Sequence, residues 1–320
     1  MSDRAVGKIR RHTIFNSARE RKLVWMRIVR ARYIYLMMVP VIAYFVLFKY
    51  MPMWFLRSAF YDYKLLKGFN SNYVGWKWFE RLLTNPDLFT YIRNTLVLNF
   101  SALVFLFPQP LIFAILLNEV RNRHFMKAVQ TISYLPHFVS TVVLVSMITT
   151  MCSPSIGTIA KIVKLFGGTP VNYLSEPKYF VTVNVISGFW QSVGWDAVIY
   201  VSTLAGIDEV LYEAARIDGA NRWQQILHIT FPGLLNTFVL LLIMQVGNLL
   251  SVNFEKVYLL QNTLNLSASE MLPTFTYKTG MESHKYGYAT AAGLFNSLCS
   301  VVLVFIANTV SRKVSEISLF

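Results

Sequence analysis

Charge is scarce in this chain, and acid is scarcer still. Asp and Glu together number 16 against 30 Lys and Arg, and charged residues make up only 14% of 320 positions. A water-soluble domain of this length must cover its surface with charge, so a soluble fold is excluded. Cysteine is nearly missing too. Cys152 and Cys299 stand far apart and form no CxxC pair, which excludes a disulfide framework and a thiolate metal site. Cys299 falls in an apolar block, where a thiol serves as a small packing residue. The five histidines, at 12, 124, 137, 228 and 284, show neither HExxH nor any paired-ligand spacing. No GxxxxGK[ST] occurs, and Gly167-Gly168 lacks the lysine that would follow in a phosphate loop. GxSxG is absent as well. The chain therefore offers no catalytic residue, no metal ligand set and no cofactor site of its own.

Apolar residues, by contrast, make up 55% of the chain. The net charge of +14 does not point to nucleic acid, because the basic residues collect between apolar blocks instead of spreading over a polar surface. A hydrocarbon core about 30 Å thick needs about 20 mostly apolar residues in a helix. Six blocks meet that length, near 33–56, 94–117, 130–151, 179–204, 232–254 and 286–309. The expected fold is an all-α integral membrane protein with six transmembrane helices. The first block is no signal peptide, since it begins only after residue 32 and no small-residue cleavage site follows it. Residues 1–32 carry ten Lys/Arg and two acids and read as a basic cytoplasmic leader. Its stretch Leu23, Val24, Trp25, Ile28 and Val29, flanked by Arg21, Lys22, Arg27 and Arg30, can lie along an anionic inner leaflet.

The distribution of Lys and Arg sets orientation. It places the N-terminus in the cytoplasm, and six crossings return residues 312–320, with Arg312 and Lys313, to the same side. The short loop with Arg121, Arg123, His124 and Lys127 agrees. Residues 205–231 do not: a loop expected to be cytoplasmic carries Asp208, Glu209, Glu213 and Asp218 against Arg216 and Arg222. Such a loop has another task.

That loop reads AGIDEVLYEAARIDGANRWQQILHITFP from Ala205 to Pro232. It predicts a short helix, a sharp turn and a second helix. Asp208 caps the first, and Gly219 stands where a left-handed residue ends it. Asn221 and Gln224 form a capping box for the second. Pro232 stands where the fifth span begins. Val210, Ala214 and Ile217 share one face, with Leu211 and Ala215 beside them. A helix this short must pack on something. From spacing alone, an ordinary amphipathic connector and a docking lever are equally open.

The literal residues resemble a known family. Glu213-Ala214-Ala215, Gly219, Ile229 and Pro232 are similar to the EAA loop of binding-protein-dependent ABC importer permeases. The resemblance implies that residues 205–231 hold a coupling helix between the fourth and fifth spans, with Glu213, Ala214, Ala215, Gly219, Tyr212 and Asp218 facing an ATPase subunit. It also implies ATP and Mg bound by that partner and not here, a second six-span permease expected to be a different chain, an extracytoplasmic solute-binding protein, and a bacterial inner-membrane location. Asp208 replaces the proline of many sugar permeases. The Ala205-Gly-Ile-Asp208 form resembles the branch importing complex oligosaccharides such as alginate or pectin fragments, as do Leu116–Glu119, Tyr134–Phe138, Gly194-Trp195, Phe254-Glu255 and Tyr286–Phe295. The leader lies outside the resemblance.

Polar residues at membrane depth are costly and point to function by default. In the fourth span Asn184, Gly188, Gln191 and Trp195 recur at helical spacing, with Ser192 and Asp196 beside them. The fifth adds Gln245, Asn248 and Ser251, and the third Tyr134, His137 and Thr141. Asn184, Gln191, Trp195, Asp196, Gln245 and Asn248 are candidates to line a sugar route, since amides and carboxylates bond hydroxyls and indole stacks on C–H faces. Interhelical bonding is the competing reading, and it is preferred for Ala289, Gly293, Asn296 and Ser300. His137 reads as a helix-end residue. Pro108 and Pro110 should bend the second span. The aromatic outer segments 57–93 and 255–285 fit either an interfacial belt or a docking surface. Lys49 and Arg57 fit a basic route or headgroup snorkelling alike. Two other classes stay open at this point, an ion-coupled secondary transporter or channel and a membrane-embedded glycan enzyme. The first has only Asp196 as a deep acid. The second lacks a set of acids at one face.

Overall fold

The computed structural model describes residues 26, 29–247 and 254–315. Asn248, Ser251, most of the leader and the last five residues of the tail lie outside them. Among the described residues the protein is helical, with only two isolated bridges, Tyr61 to Tyr73 and Lys64 to Gly68. It divides into two units, up to Arg57 and from Ser58 onward.

In the first unit, α1 (Arg32–Phe45) continues through a π-turn, Val46–Tyr50, toward Pro52. None of the residues in α1 is buried. Met37, Leu36 and Tyr33 lie exposed along it, a surface suited to lipid. Arg57, the last residue of this unit, stacks over Trp54, 4.2 Å from the ring centroid.

The second unit holds the remaining helices. These are α2 (Lys77–Leu83), α3 (Leu88–Phe105), α4 (Gln109–Asn118), α5 (Arg123–Tyr134), α6 (Thr141–Met151), α7 (Thr158–Leu165) and α8 (Pro177–Leu204). After them come α9 (Glu209–Ile217), α10 (Arg222–Gln225), α11 (Phe231–Gly247), α12 (Phe254–Leu260), α13 (Leu266–Ser269), α14 (Leu272–Tyr277) and α15 (Tyr286–Ser315). Among the described residues four stretches are long and apolar enough to cross a membrane: Arg32–Phe60, Leu88–Asn118, Arg222–Val246 and Tyr286–Ile306. Arg123–Phe138 with Thr141–Met151 makes a fifth if the bent pair counts as one. At 28 residues, α8 is about 42 Å long, ample for a crossing, but its polar stripe keeps it out of that apolar set.

Two expectations are corrected here. The block 130–151 is not one straight helix: its halves meet at 98°. Pro136 enters a 3-10 turn, Leu135–Phe138, and Ser140 then starts α6 by accepting the amide of Val143. A proline and a new N-cap four residues apart end one helix and begin another. Nor does Pro232 open the fifth span. The helical path runs from Arg222 through a π-turn, Ile226–Thr230, into α11. The proline ring would collide with the carbonyl four residues back, and a widened turn relieves that collision. The same device precedes Pro52. Pro108 and Pro110 do interrupt the second block, dividing it into α3 and α4.

Small residues let these helices touch. Ala114 of α4 and Ala197 of α8 are fully buried, and they join Leu111, Tyr200, Leu204 and Leu234 in one apolar cluster. A second cluster surrounds Leu98, Leu144, Phe180, Val257 and Met271. A third packs α2 against α15 through Trp78, Leu82, Tyr288, Ala291 and Ala292.

Candidate functional site

Helix α9 is capped at both ends by its own sequence. The Asp208 carboxylate accepts the amide of Val210 at 3.0 Å. At the other end the Ala220 amide reaches the Ala215 carbonyl at 2.8 Å, and Gly219 that of Arg216 at 3.1 Å. These are the paired bonds of a Schellman stop, with Gly219 at φ +80° as the left-handed residue. A reciprocal capping box follows. Gln224 N bonds Asn221 Oδ1 at 2.9 Å, and Asn221 N bonds Gln224 Oε1 at 2.7 Å.

The helix is tied to the bundle at its root. Ile207 belongs to the cluster around Leu204 and Leu234, and its Cδ1 lies where a side chain on Gly233 would go. Tyr212 Oη meets Thr230 Oγ1 at 3.0 Å, and Thr230 is fully buried in the π-turn that leads into α11. Arg222 reaches Glu119 at 3.7 Å, a half-exposed pair of small energetic weight. Between the residues around Glu119 and α9 lies a cleft of about 1020 Å³, with Tyr212, Glu213 and Arg216 on one wall.

What α9 lacks is cover. None of its residues is buried. Val210 is 62% exposed, Ile217 86% and neighbouring Trp223 78%. Glu213, Ala214, Asp218 and Gly219 are exposed with them, and Ala215 is half-buried. A capped helix with an apolar face open to water is built to receive a partner.

The polar stripe of α8 does not form one wall. Gln191, Trp195 and Asp196 come together near the break of the third block. Gln191 Nε2 reaches the Val139 carbonyl at 3.4 Å, a group freed by the bend. Trp195 lies parallel to His137, with centroids 4.5 Å apart at 6°, and edge-on to Phe138. One indole face is thus already taken. Asp196 is within electrostatic reach of Ser192 and His137, and Gln109 Nε2 donates to Ser192 Oγ at 3.1 Å. Gly194 presses on the Ser133 carbonyl, which fixes α8 against α5. Asn184 sits elsewhere, fully buried, and neither amide atom has a hydrogen-bond partner among the described residues. Gln245 is half-buried on α11.

Sequence reasoning missed Lys256. Its side chain is buried to 5% exposure, and Nζ donates to the Asn184 carbonyl at 2.8 Å and lies 3.4 Å from Ser187 Oγ. No carboxylate among the described residues pairs with it. A lysine just beyond an apolar block reads as an ordinary loop charge; only the short helix α12, packed on α6, brings its side chain to the Asn184 carbonyl of α8.

Residues 107–316 match the model of the binding-protein-dependent transport system inner membrane component. The chain belongs to that family. Among its relatives is protein LplB of Bacillus subtilis strain 168, 39% identical over 292 residues, which cover 91% of this chain and 92% of LplB. The polygalacturonan/rhamnogalacturonan transport system permease protein YteP of the same organism is 39% identical over 298 residues, 93% of either chain. The fold superposes on a chain from the crystal structure of a bacterial ABC transporter involved in the import of the acidic polysaccharide alginate. There the TM-score is 0.84 at 35% identity, covering 91% of this permease and 99% of that chain. A second structure, of the bacterial alginate ABC transporter in complex with an alginate pentasaccharide-bound periplasmic protein, gives a TM-score of 0.85 and covers 92% and 99%. Family membership decides against the secondary-transporter and glycan-enzyme readings. The chain is an integral-membrane permease of a binding-protein-dependent ABC importer.

Proposed function

We propose that this permease forms half of the translocation pathway of an ATP-driven importer for acidic oligosaccharides, with α9 as the coupling helix between the fourth and fifth of six spans. The exposed apolar face of α9 carries the reading. Glu213, Ala214, Ala215, Gly219, Tyr212 and Asp218 meet a separate ATPase subunit, which binds ATP and Mg. Closure of that subunit pushes α9, and the Tyr212–Thr230 bond and the Ile207–Gly233 contact pass the motion to the base of the fifth span. Both termini lie in the cytoplasm of a bacterial cell. A second permease chain completes the pathway, and an extracytoplasmic solute-binding protein delivers cargo from outside. The relatives named for polygalacturonan and alginate support uronic-acid oligomers as that cargo.

Uptake assays test the proposal. The permease, its partner permease, the ATPase and the binding protein, reconstituted in proteoliposomes, should take up oligogalacturonate or oligoalginate only with ATP present. ATP hydrolysis should rise when the loaded binding protein is added. Uptake by this permease alone on an ion gradient would overturn the proposal.

A further inference from the structure

A cavity of about 500 Å³ opens between α2 and the start of α15, in the segments expected to lie on the outer side. Two cations flank it, Arg81 and Lys285. Neither pairs with a carboxylate among the described residues. Arg81 is instead held by rings, its Cζ 5.1 Å from the centroid of Tyr288 and 5.8 Å from that of Trp78. Those rings are fixed in turn: Trp78 donates to the Tyr61 carbonyl at 2.9 Å, and Tyr288 is buried in the cluster joining α2 to α15. Lys285 reaches the cavity because the chain reverses at His284, a non-glycine residue in the left-handed region at φ +54°. The reversal lets the Lys285 amide bond the Thr279 carbonyl at 3.0 Å. Thr279 also lines the cavity. It is 7% exposed, and its hydroxyl has no hydrogen-bond partner among the described residues.

Two cations without a carboxylate partner among the described residues and the Thr279 side chain line one space at the start of a 30-residue helix whose first turn carries no acid. We propose that this cavity is an outer subsite for a uronate residue of the cargo. Arg81 and Lys285 hold the carboxylate, Thr279 and Ser283 bond ring hydroxyls, and Phe275 and Tyr288 supply aromatic walls. The volume suits one or two sugar rings. The largely polar lining favours a sugar over a lipid, whose acyl chains would need an apolar groove leading away. The inference rests on the acidic-oligosaccharide reading and deepens it.

Binding of trigalacturonate to the complete transporter in nanodiscs, with the binding protein left out, tests the site. The wild-type complex should bind it, and Arg81→Gln with Lys285→Gln should weaken binding roughly tenfold or more, since two charge-assisted contacts are lost. Arg81→Lys with Lys285→Arg should recover part of that loss, and neutral trigalactose should not separate wild type from the glutamine variant. Equal trigalacturonate affinity in wild type and the glutamine variant would overturn the subsite. So would a difference that appears only with anionic lipid and is the same for both sugars, which would assign the cavity to a headgroup. Failure of the broader reading shows separately, as no ATP-driven uptake of the same oligogalacturonate by the wild-type complex.

Discussion

At Gly219 a single missing side chain shapes the end of α9. The backbone stands at φ +80°, and a Cβ placed there would meet nothing within 4 Å. Substitution therefore acts through backbone strain alone. Gly219→Val should cost the local turn about 1–2 kcal/mol, loosening the Schellman stop while the bundle still assembles. The expected phenotype is ATP hydrolysis no longer tied to uptake. Gly219→Asn, which tolerates the left-handed region, should fall between the two. Both are read by the ratio of sugar transported to ATP hydrolysed, and a wild-type ratio in the valine variant would contradict the role given to this turn. The sequence showed this residue well, because a glycine after a capped helix has few other uses. It showed Lys256 poorly, because burial depended on a fold-back that no local pattern announces. Trp195 and Asp196 are proposed to line the route, along with Asn184, Gln191, Gln245 and Asn248. The isosteric changes Gln191→Glu, Asp196→Asn and Asn248→Asp should each lower uptake without loss of assembly. Unchanged uptake in all three would reject that route.

Among the elements, α8 does most to position the others. Gly194 admits the backbone of α5, Ala197 packs with Ala114, and the carbonyl of Asn184 accepts the Lys256 ammonium. Lysine in that place is expensive for stability, since its charge is buried with no carboxylate partner among the described residues. Lys256→Met keeps the length and removes the charge. The thermal midpoint of the purified complex should therefore stay level or rise, while uptake falls if the charge serves transport. A midpoint lowered by the equivalent of about 2 kcal/mol or more would show that the hydrogen bond to Asn184 outweighs desolvation. Periodicity and length predicted α8, α9 and the apolar stretches well. The 98° break between the two halves of the third block escaped because a proline in an apolar run predicts a kink without its size. The π-turns before Pro52 and Pro232 escaped for a related reason: sequence shows where a proline must be accommodated, not which turn widens to do so.

For the molecule as a whole, the proposed orientation rests on charge and the proposed coupling on shape. Basic residues mark the loops expected inside, and the one loop that breaks the pattern folds into α9, exposed and apolar on its outer face. Everything proposed for transport depends on that face meeting a nucleotide-hydrolysing partner in the cytoplasm. Ile217, 86% exposed at the tip of α9, is the position from which to ask. Cysteine placed there, in a chain whose buried Cys152 and half-buried Cys299 are replaced by alanine, should cross-link to the ATPase subunit in inside-out vesicles, with the yield changing on ATP addition. Labelling of the same cysteine from outside intact cells, or no cross-link to the ATPase under any nucleotide condition, would contradict the account.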